Sequence, residues 1–301
     1  LAMLAVPSTA AFWSAVLGLP PAIAAASVVA EDATAQVALQ RQPLRTEIHI
    51  NGYLNGWVPF MLVHQKLGAL GALLHPAPEA VLVVGFGSGG TPYTAGLNPA
   101  TRMVEVVEIA APVYQAHREA SARGFGLPPG GLFADRRFRL LLDDGRRHLA
   151  AGGGRYDVIE SDPLLPRSAR SGMLNSVEYF RLLQRHLKPG GLAVHWRSTQ
   201  RVEHSFRQVF AHGLVVGHAL IGSDAPIAFD AGRIERLLAE PAVAAYLGRL
   251  GIDAGQLGQE LLGEKHEAWT PAEAAPPQAH LLNTDLHPRD EFFLNNPDLR
   301  F

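Results

Sequence analysis

"VLVVGFGSGGT", residues 81–91, runs four apolar residues straight into a loop holding Gly85, Gly87, Gly89 and Gly90. A loop with so few side chains lets a ligand come close to the backbone. Ser88 is the one polar side chain between the first and last of these glycines. A buried strand that ends this way is how an open α/β sheet opens its ligand site.

The sequence downstream keeps the same texture. Short apolar runs recur at 103–109, 138–142, 156–161 and 191–196, and helical stretches separate them at 111–124, 174–187 and 201–212. In 174–187 the face is marked by Leu174, Val177, Phe180, Leu183 and Leu187, and Lys188-Pro189-Gly190-Gly191 stops it. Such alternation predicts a parallel sheet with helices on both sides. Two late antiparallel strands are expected at 214–222 and 225–230, followed by helical sequence to 280 with a Pro/Ala loop at 271–277.

Upstream, 28–40 and 45–52 read as strands. Thr46, Ile48 and Ile50 alternate with Glu47 and His49, and Asn51-Gly52 is a hairpin turn. Residues 56–76 read as a helix with Leu62, Leu67, Leu70 and Leu74 on one face, closed by Pro76 and Pro78. The apolar stretch 1–30 is cut by Pro7, Pro20 and Pro21, leaving no run of about 20 apolar residues. No basic region precedes it, so it reads as a helix packed on the domain, and the start at Leu1 suggests a piece of a longer chain.

Composition narrows the function classes. The 301 residues are 48% hydrophobic and 18% charged, with a formal net charge of -2 and a pI near 6.7. That is a globular composition without a basic stripe, which argues against a nucleic-acid partner. The absence of cysteine excludes disulfides, thiolate metal sites and cysteine nucleophiles. No metal site is expected.

Ligands of such a sheet sit beyond the C-terminal strand ends, so the polar residues there are the candidates. Glu108 ends the second run, 23 residues after Gly85, a spacing that suits a carboxylate accepting from two ribose hydroxyls. The third run is followed by Asp143, Asp144 and Gly145, the fourth by Glu160, Ser161 and Asp162, the fifth by His195 and Trp196. Asp144 also suits the cap of a following helix, Asp162 before Pro163 suits a turn, and His195 and Trp196 read as structural. Gly85-x-Gly87-x-x-Gly90 satisfies a dinucleotide fingerprint literally. The helix behind it is short, however, and a second carboxylate at Asp144-Gly145 suits an adenine amino group. The set therefore favours S-adenosylmethionine or a derivative over a dinucleotide.

Taken with these residues, the sequence resembles the spermidine synthases (polyamine aminopropyltransferases), especially a bacterial branch fused to membrane domains. The resemblance runs over about 28–230 and again at 282–292. It rests on the hairpin Ile48 to Asn55, on Val63-His64-Gln65, on Gly85 to Gly90, on Glu108, on Asp144-Gly145, and on Tyr156-Asp157-Val158-Ile159 followed by Asp162. It implies an α/β fold with a seven-stranded, mostly parallel, Rossmann-like sheet of the class I S-adenosylmethionine-dependent methyltransferase type. A small N-terminal β-hairpin region would cover its C-terminal edge. Residues 1–76 would hold the apolar segment, hairpin region and helix, and 77–301 the catalytic domain with a helical C-terminal extension.

The resemblance further implies a transferase that moves an aminopropyl group from decarboxylated S-adenosylmethionine to a small amine. Asp162 would be the catalytic base. Gly85, Gly87, Ser88, Gly89, Glu108, Asp144 and Gly145 would hold the donor, and Asn55 and His64 the acceptor. A cytoplasmic setting, a membrane domain in a longer parent and a homodimer are expected with it.

The sequence departs from that pattern where the charge matters. Ser88 stands where the family has an Asp for the donor's amine, Asn55 replaces a Gln and Gln65 a Glu. The loop after Asp162 carries Arg167 and Arg170 and no acid. Two alternatives therefore stay open: a methyltransferase using intact S-adenosylmethionine on a small nucleophile, and a retired nucleoside-binding module.

Overall fold

The computed structural model describes residues 8–16, 18–128, 131–152, 154–164, 168, 170–271 and 279–291. Arg167 and nearly all of the Pro/Ala loop lie outside them. Two short helices, α1 (Thr9–Val16) and α2 (Pro21–Ala26), pack on the first two strands, as expected of the apolar start. No helix of the described residues is long and apolar enough to cross a membrane.

The N-terminal region is a four-stranded antiparallel meander of β1 (Val28–Glu31), β2 (Gln36–Arg41), β3 (Thr46–Ile50) and β4 (Tyr53–Val58). What reads as one strand over 28–40 is two. Asp32 breaks it, its carboxylate accepting from the N–H of Thr34 at 2.7 Å and of Ala35 at 3.2 Å. Asn51-Gly52 makes the expected turn. The following helix begins later than expected, because Gly56, Trp57 and Val58 pair with Ile48, Glu47 and Thr46. It is α3 (Leu62–Leu74).

The larger sheet follows: β5 (Ala80–Val84), α4 (Gly90–Ala95), β6 (Met103–Glu108), α5 (Ala111–Ala122), β7 (Phe138–Leu142), α6 (Gly145–Ala150), β8 (Tyr156–Ser161), α7 (Val177–His186) and β9 (Leu187–Trp196). After α8 (Gln200–Arg207) come β10 (His212–Val216) and β11 (Ala219–Ser223). Next are α9 (Ala231–Ala239), α10 (Pro241–Gly248), α11 (Ala254–Leu262) and β12 (His266–Trp269). The strand order is β12-β10-β11-β9-β8-β5-β6-β7, with β7, β6, β5, β8 and β9 parallel and the other three joined antiparallel.

The fold is thus the expected α/β type with eight strands instead of seven. The extra one is β12, in sequence that reads as helical. Trp269 draws it onto β10: its indole N–H donates to the Phe210 carbonyl at 2.9 Å, and its ring lies over Gly213, where a Cβ would be 1.9 Å away. Conversely, 225–230 is a loop and not a strand.

The chain leaves β5 toward β6 on one side and returns to β8 on the other, so the switch in strand order lies at the C-terminal end of β5. α3 packs on β8, β9 and α4. Gly68 permits this approach, since a Cβ there would lie 2.1 Å from the Thr91 carbonyl oxygen. Alanine ordinarily favours a helix over glycine by up to about 1 kcal/mol, but a backbone carbonyl cannot step aside as a side chain can. Gly68→Ala is therefore expected to destabilise the protein by about 1–3 kcal/mol, read by urea unfolding. Unchanged or raised stability would show that α3 and α4 are free to separate.

Candidate active site

The glycine loop turns at Gly85, Gly87 and Gly89, with φ of 98°, 52° and 88°. These left-handed values are ones that other residues adopt only under strain. Close approach reinforces the choice. A Cβ on Gly85 would lie 3.2 Å from the Asp162 carbonyl oxygen, and one on Gly87 would lie 3.1 Å from Asn55 Oδ1. Strand β4 thus lies over the loop from one side and the end of β8 borders it from another. Asn55, Gly56, His64, Ser88 and Asp162, scattered in sequence, meet here.

Asp162 Oδ2 accepts from His64 Nδ1 at 2.7 Å and from Thr91 Oγ1 at 2.8 Å. No described residue donates to Oδ1, and the side chain is partly exposed. His64 Nε2 lies 3.2 Å from the Asn55 carbonyl oxygen. Both imidazole nitrogens therefore face acceptors, an arrangement that calls for an imidazolium beside a carboxylate. Burial opposes both charges, but each partner's field and the shared hydrogen bond outweigh it. The Asp162 carboxyl is lowered and the His64 imidazolium raised from their ordinary values.

The nucleoside side is built by β6. Glu108 is buried; its Oε2 accepts from the Phe86 N–H and its Oε1 from the Ala110 N–H, both at 2.9 Å. Burial raises its pKa, while these N–H donors and those of Ile109 and Gly87 pull the other way. A carboxylate offers about four lone-pair directions, and the Phe86 and Ala110 N–H groups take one on each oxygen. Asp144 caps α6, its Oδ1 accepting from the Arg147 N–H at 2.9 Å. Gly145 is required behind it, because a Cβ would lie 2.5 Å from Val84 Cγ1.

Other strand-end residues turn inward. Ser161 Oγ and the Tyr179 hydroxyl lie 2.6 Å apart. His195 Nε2 lies 3.0 Å from Asn175 Oδ1 among Phe180 and Phe206, and burial lowers its pKa to about 3, the structural role expected of it. Gln65 donates to the Phe60 carbonyl at 2.7 Å, at the entry to α3. Glu160 is fully buried with neither oxygen hydrogen-bonded among the described residues, and burial, then Asp162, raise its pKa well above the ordinary value.

Sequence reasoning misses two contributors. Thr91 reads only as the start of a helix, yet it anchors Asp162. His117 on α5 places Nε2 3.0 Å from the Gly87 carbonyl and its ring edge-on to Phe86, holding the loop from below. Burial lowers its pKa to about 4, so it serves as a neutral donor. Only the apolar face of the helix at 111–124 could have pointed to it.

The model of the spermine/spermidine synthase domain matches residues 60–211, just over half of the chain, and takes in the glycine loop, Glu108, Asp144 and Asp162. The chain belongs to this family. Similar proteins include a polyamine aminopropyltransferase of Pseudomonas syringae pv. tomato, 31% identical over 135 residues, covering 44% of this chain and 45% of that protein. Putrescine N-methyltransferase 3 of Nicotiana tabacum is 30% identical over 170 residues, 52% of this chain and 41% of that protein. The chain spans less than half the length of these curated relatives. Among solved structures, a spermidine synthase in complex with the transition state analogue AdoDATO superposes with a TM-score of 0.62 at 17% identity, covering 78% of this chain and 84% of that one. The spermidine synthase of Thermotoga maritima gives 0.58 at 16%, covering 78% and 82%. At such identities the likeness speaks for the fold, and it is the synthase family's fold.

Proposed function

We propose that the protein is an aminopropyltransferase of the spermidine synthase type, using decarboxylated S-adenosylmethionine and a small amine. The observation that carries this reading is Asp162, fixed through Oδ2 by His64 and Thr91 beside the glycine loop, with Oδ1 left over. A primary amine is protonated near pH 7 and cannot attack. A fixed carboxylate that takes its proton and holds its nitrogen in line supplies general-base catalysis and proximity. The amine lone pair then forms a bond to the aminopropyl carbon next to the sulfonium. That carbon–sulfur bond breaks, its electron pair returns to sulfur, and 5'-methylthioadenosine leaves as a neutral thioether.

Gly85, Gly87, Ser88, Gly89 and Gly145 would bring the donor against backbone, Glu108 would hold the ribose hydroxyls, and Asp144 would face the adenine. Asn55 and His64 would border the acceptor. The cytoplasmic setting, the homodimer and the attachment to membrane domains belong to the same reading, and the sequence resemblance alone supports them.

A second reading, methyl transfer from intact S-adenosylmethionine, is favoured by one residue. Ser88 is buried and bears no charge, and among the described residues its oxygen accepts only a long 3.4 Å contact from the Gly90 N–H. A hydroxyl there can donate to a donor carboxylate, which an Asp would repel. The expected result is a weak preference of the parent protein for the decarboxylated donor. Ser88→Asp should shift the ratio of donor affinities toward it by roughly 10- to 100-fold, the worth of one charged hydrogen bond. Calorimetric titration with both donors reads this ratio. A strong parental preference that Ser88→Asp leaves unchanged would remove Ser88 as the selector and leave the plain aminopropyltransferase reading.

A further inference from the structure

A cavity of about 90 Å³ lies between α3, the end of β9, the β10–β11 turn and α11. Its walls are mostly apolar: Val63, Leu67 and Leu70 from α3, with Val216, Ala219 and Leu261 opposite. Trp196 closes one side, and the polar members of its lining are Lys66, His218 and Glu264.

The cavity shares elements with the base. Val63 precedes His64, which bonds Asp162. The pairing of β8 and β9 ends with Ser161 beside His195, one residue short of Asp162 on one strand and of Trp196 on the other. A nucleophile whose nitrogen rests on Asp162 therefore has this cavity within reach of its other end.

The charges decide what that end can be. Among the described residues Glu264 is the only carboxylate of the lining, and it is engaged by the Lys66 ammonium. The pair sums to zero, so a second cation entering the cavity would find no free counter-charge, and it would meet Lys66. Trp196 offers a ring face that could hold a cation, but the Lys66 ammonium lines the same space. Leaving an ammonium buried among leucine and valine side chains without a partner is strongly unfavourable. An apolar end, by contrast, gains from burial there. For size, a cavity of about 150 Å³ holds a benzene ring, so this one accommodates a chain of about three or four carbons.

Resting on the transferase reading above, we infer that this cavity receives the body of the nucleophile. The preferred nucleophile is then a primary monoamine with a short alkyl chain in place of a diamine.

The test compares 1-aminobutane with 1,4-diaminobutane as acceptors, in the parent and in Val63→Asp, by following nucleoside release from each donor. In the parent, kcat/KM should favour the monoamine by about tenfold or more. Val63→Asp places a carboxylate in the wall, within the first turn of α3 where an acid is tolerated. It should move the ratio toward the diamine by a similar factor, with donor affinity by calorimetry confirming that the variant is folded. Preference of the parent for the diamine overturns the inference while leaving the transferase reading intact. A folded Val63→Asp with an unchanged ratio also overturns it, by removing the cavity as the seat of selection. If neither amine releases a nucleoside product from either donor, the transferase reading itself falls and the inference falls with it.

Discussion

Asp162→Asn is expected to lower kcat by about 100- to 10,000-fold, the usual loss when a general base is removed, while nucleoside affinity stays within a few-fold of the parent. The amide keeps the shape of the carboxylate but cannot accept a proton from the amine. The variant should also change His64. Its imidazolium is held above the ordinary value against burial by Asp162, so without the carboxylate burial prevails and the pKa falls, a shift that NMR titration reads independently of turnover.

The sign of the pH dependence follows from the same pair. Asp162 is lowered, so its contribution to stability is complete above the unfolded value near 3.8 and is lost as pH falls through the lower folded value. His64 is raised, so its contribution is complete below the unfolded value near 6.5 and is lost as pH rises through the higher folded value. Between 3.8 and 6.5 the pair contributes fully. Full turnover by Asp162→Asn would place the base elsewhere.

Glu108→Ala is expected to cost roughly 30- to 1000-fold in nucleoside affinity, equivalent to about 2–4 kcal/mol for a pair of charge-assisted hydrogen bonds. The same carboxylate also ties down the N–H groups of Phe86 and Ala110, so part of that loss reflects a loosened glycine loop. Glu108→Gln separates the two effects. It keeps one oxygen acceptor without the charge and should fall between Ala and the parent. An Ala variant that binds 5'-methylthioadenosine as tightly as the parent would remove Glu108 from the nucleoside site.

Much of this was legible in the sequence, because the signals are local. The apolar runs at 81–84, 103–109 and 156–161 announce β5, β6 and β8, which end at Val84, Glu108 and Ser161, each at or within a residue of the end of its run. Asn51-Gly52 announces its hairpin. What stayed hidden depends on contacts between distant residues. Nothing near Thr91 says that its hydroxyl will reach Asp162, 71 positions on, and nothing near His117 says that it will hold Gly87. The late start of α3 escapes the helical pattern because Gly56 to Val58 are decided by their partners on β3. β12 escapes for a similar reason, since Trp269 is placed by Phe210 and Gly213 rather than by its neighbours. The cap at Asp144 was legible as a cap, and Asp144 remains a proposal as a ligand to adenine.

The most direct test of the central claim is the nucleoside left after turnover. The protein is incubated with each donor and a primary amine, and the products are separated and identified by mass. The decarboxylated donor should give 5'-methylthioadenosine, together with an amine heavier by an aminopropyl group, and both should vanish in Asp162→Asn. S-adenosylhomocysteine with a methylated amine as the dominant product from the intact donor would contradict the claim, as would tight nucleoside binding with no product from either donor.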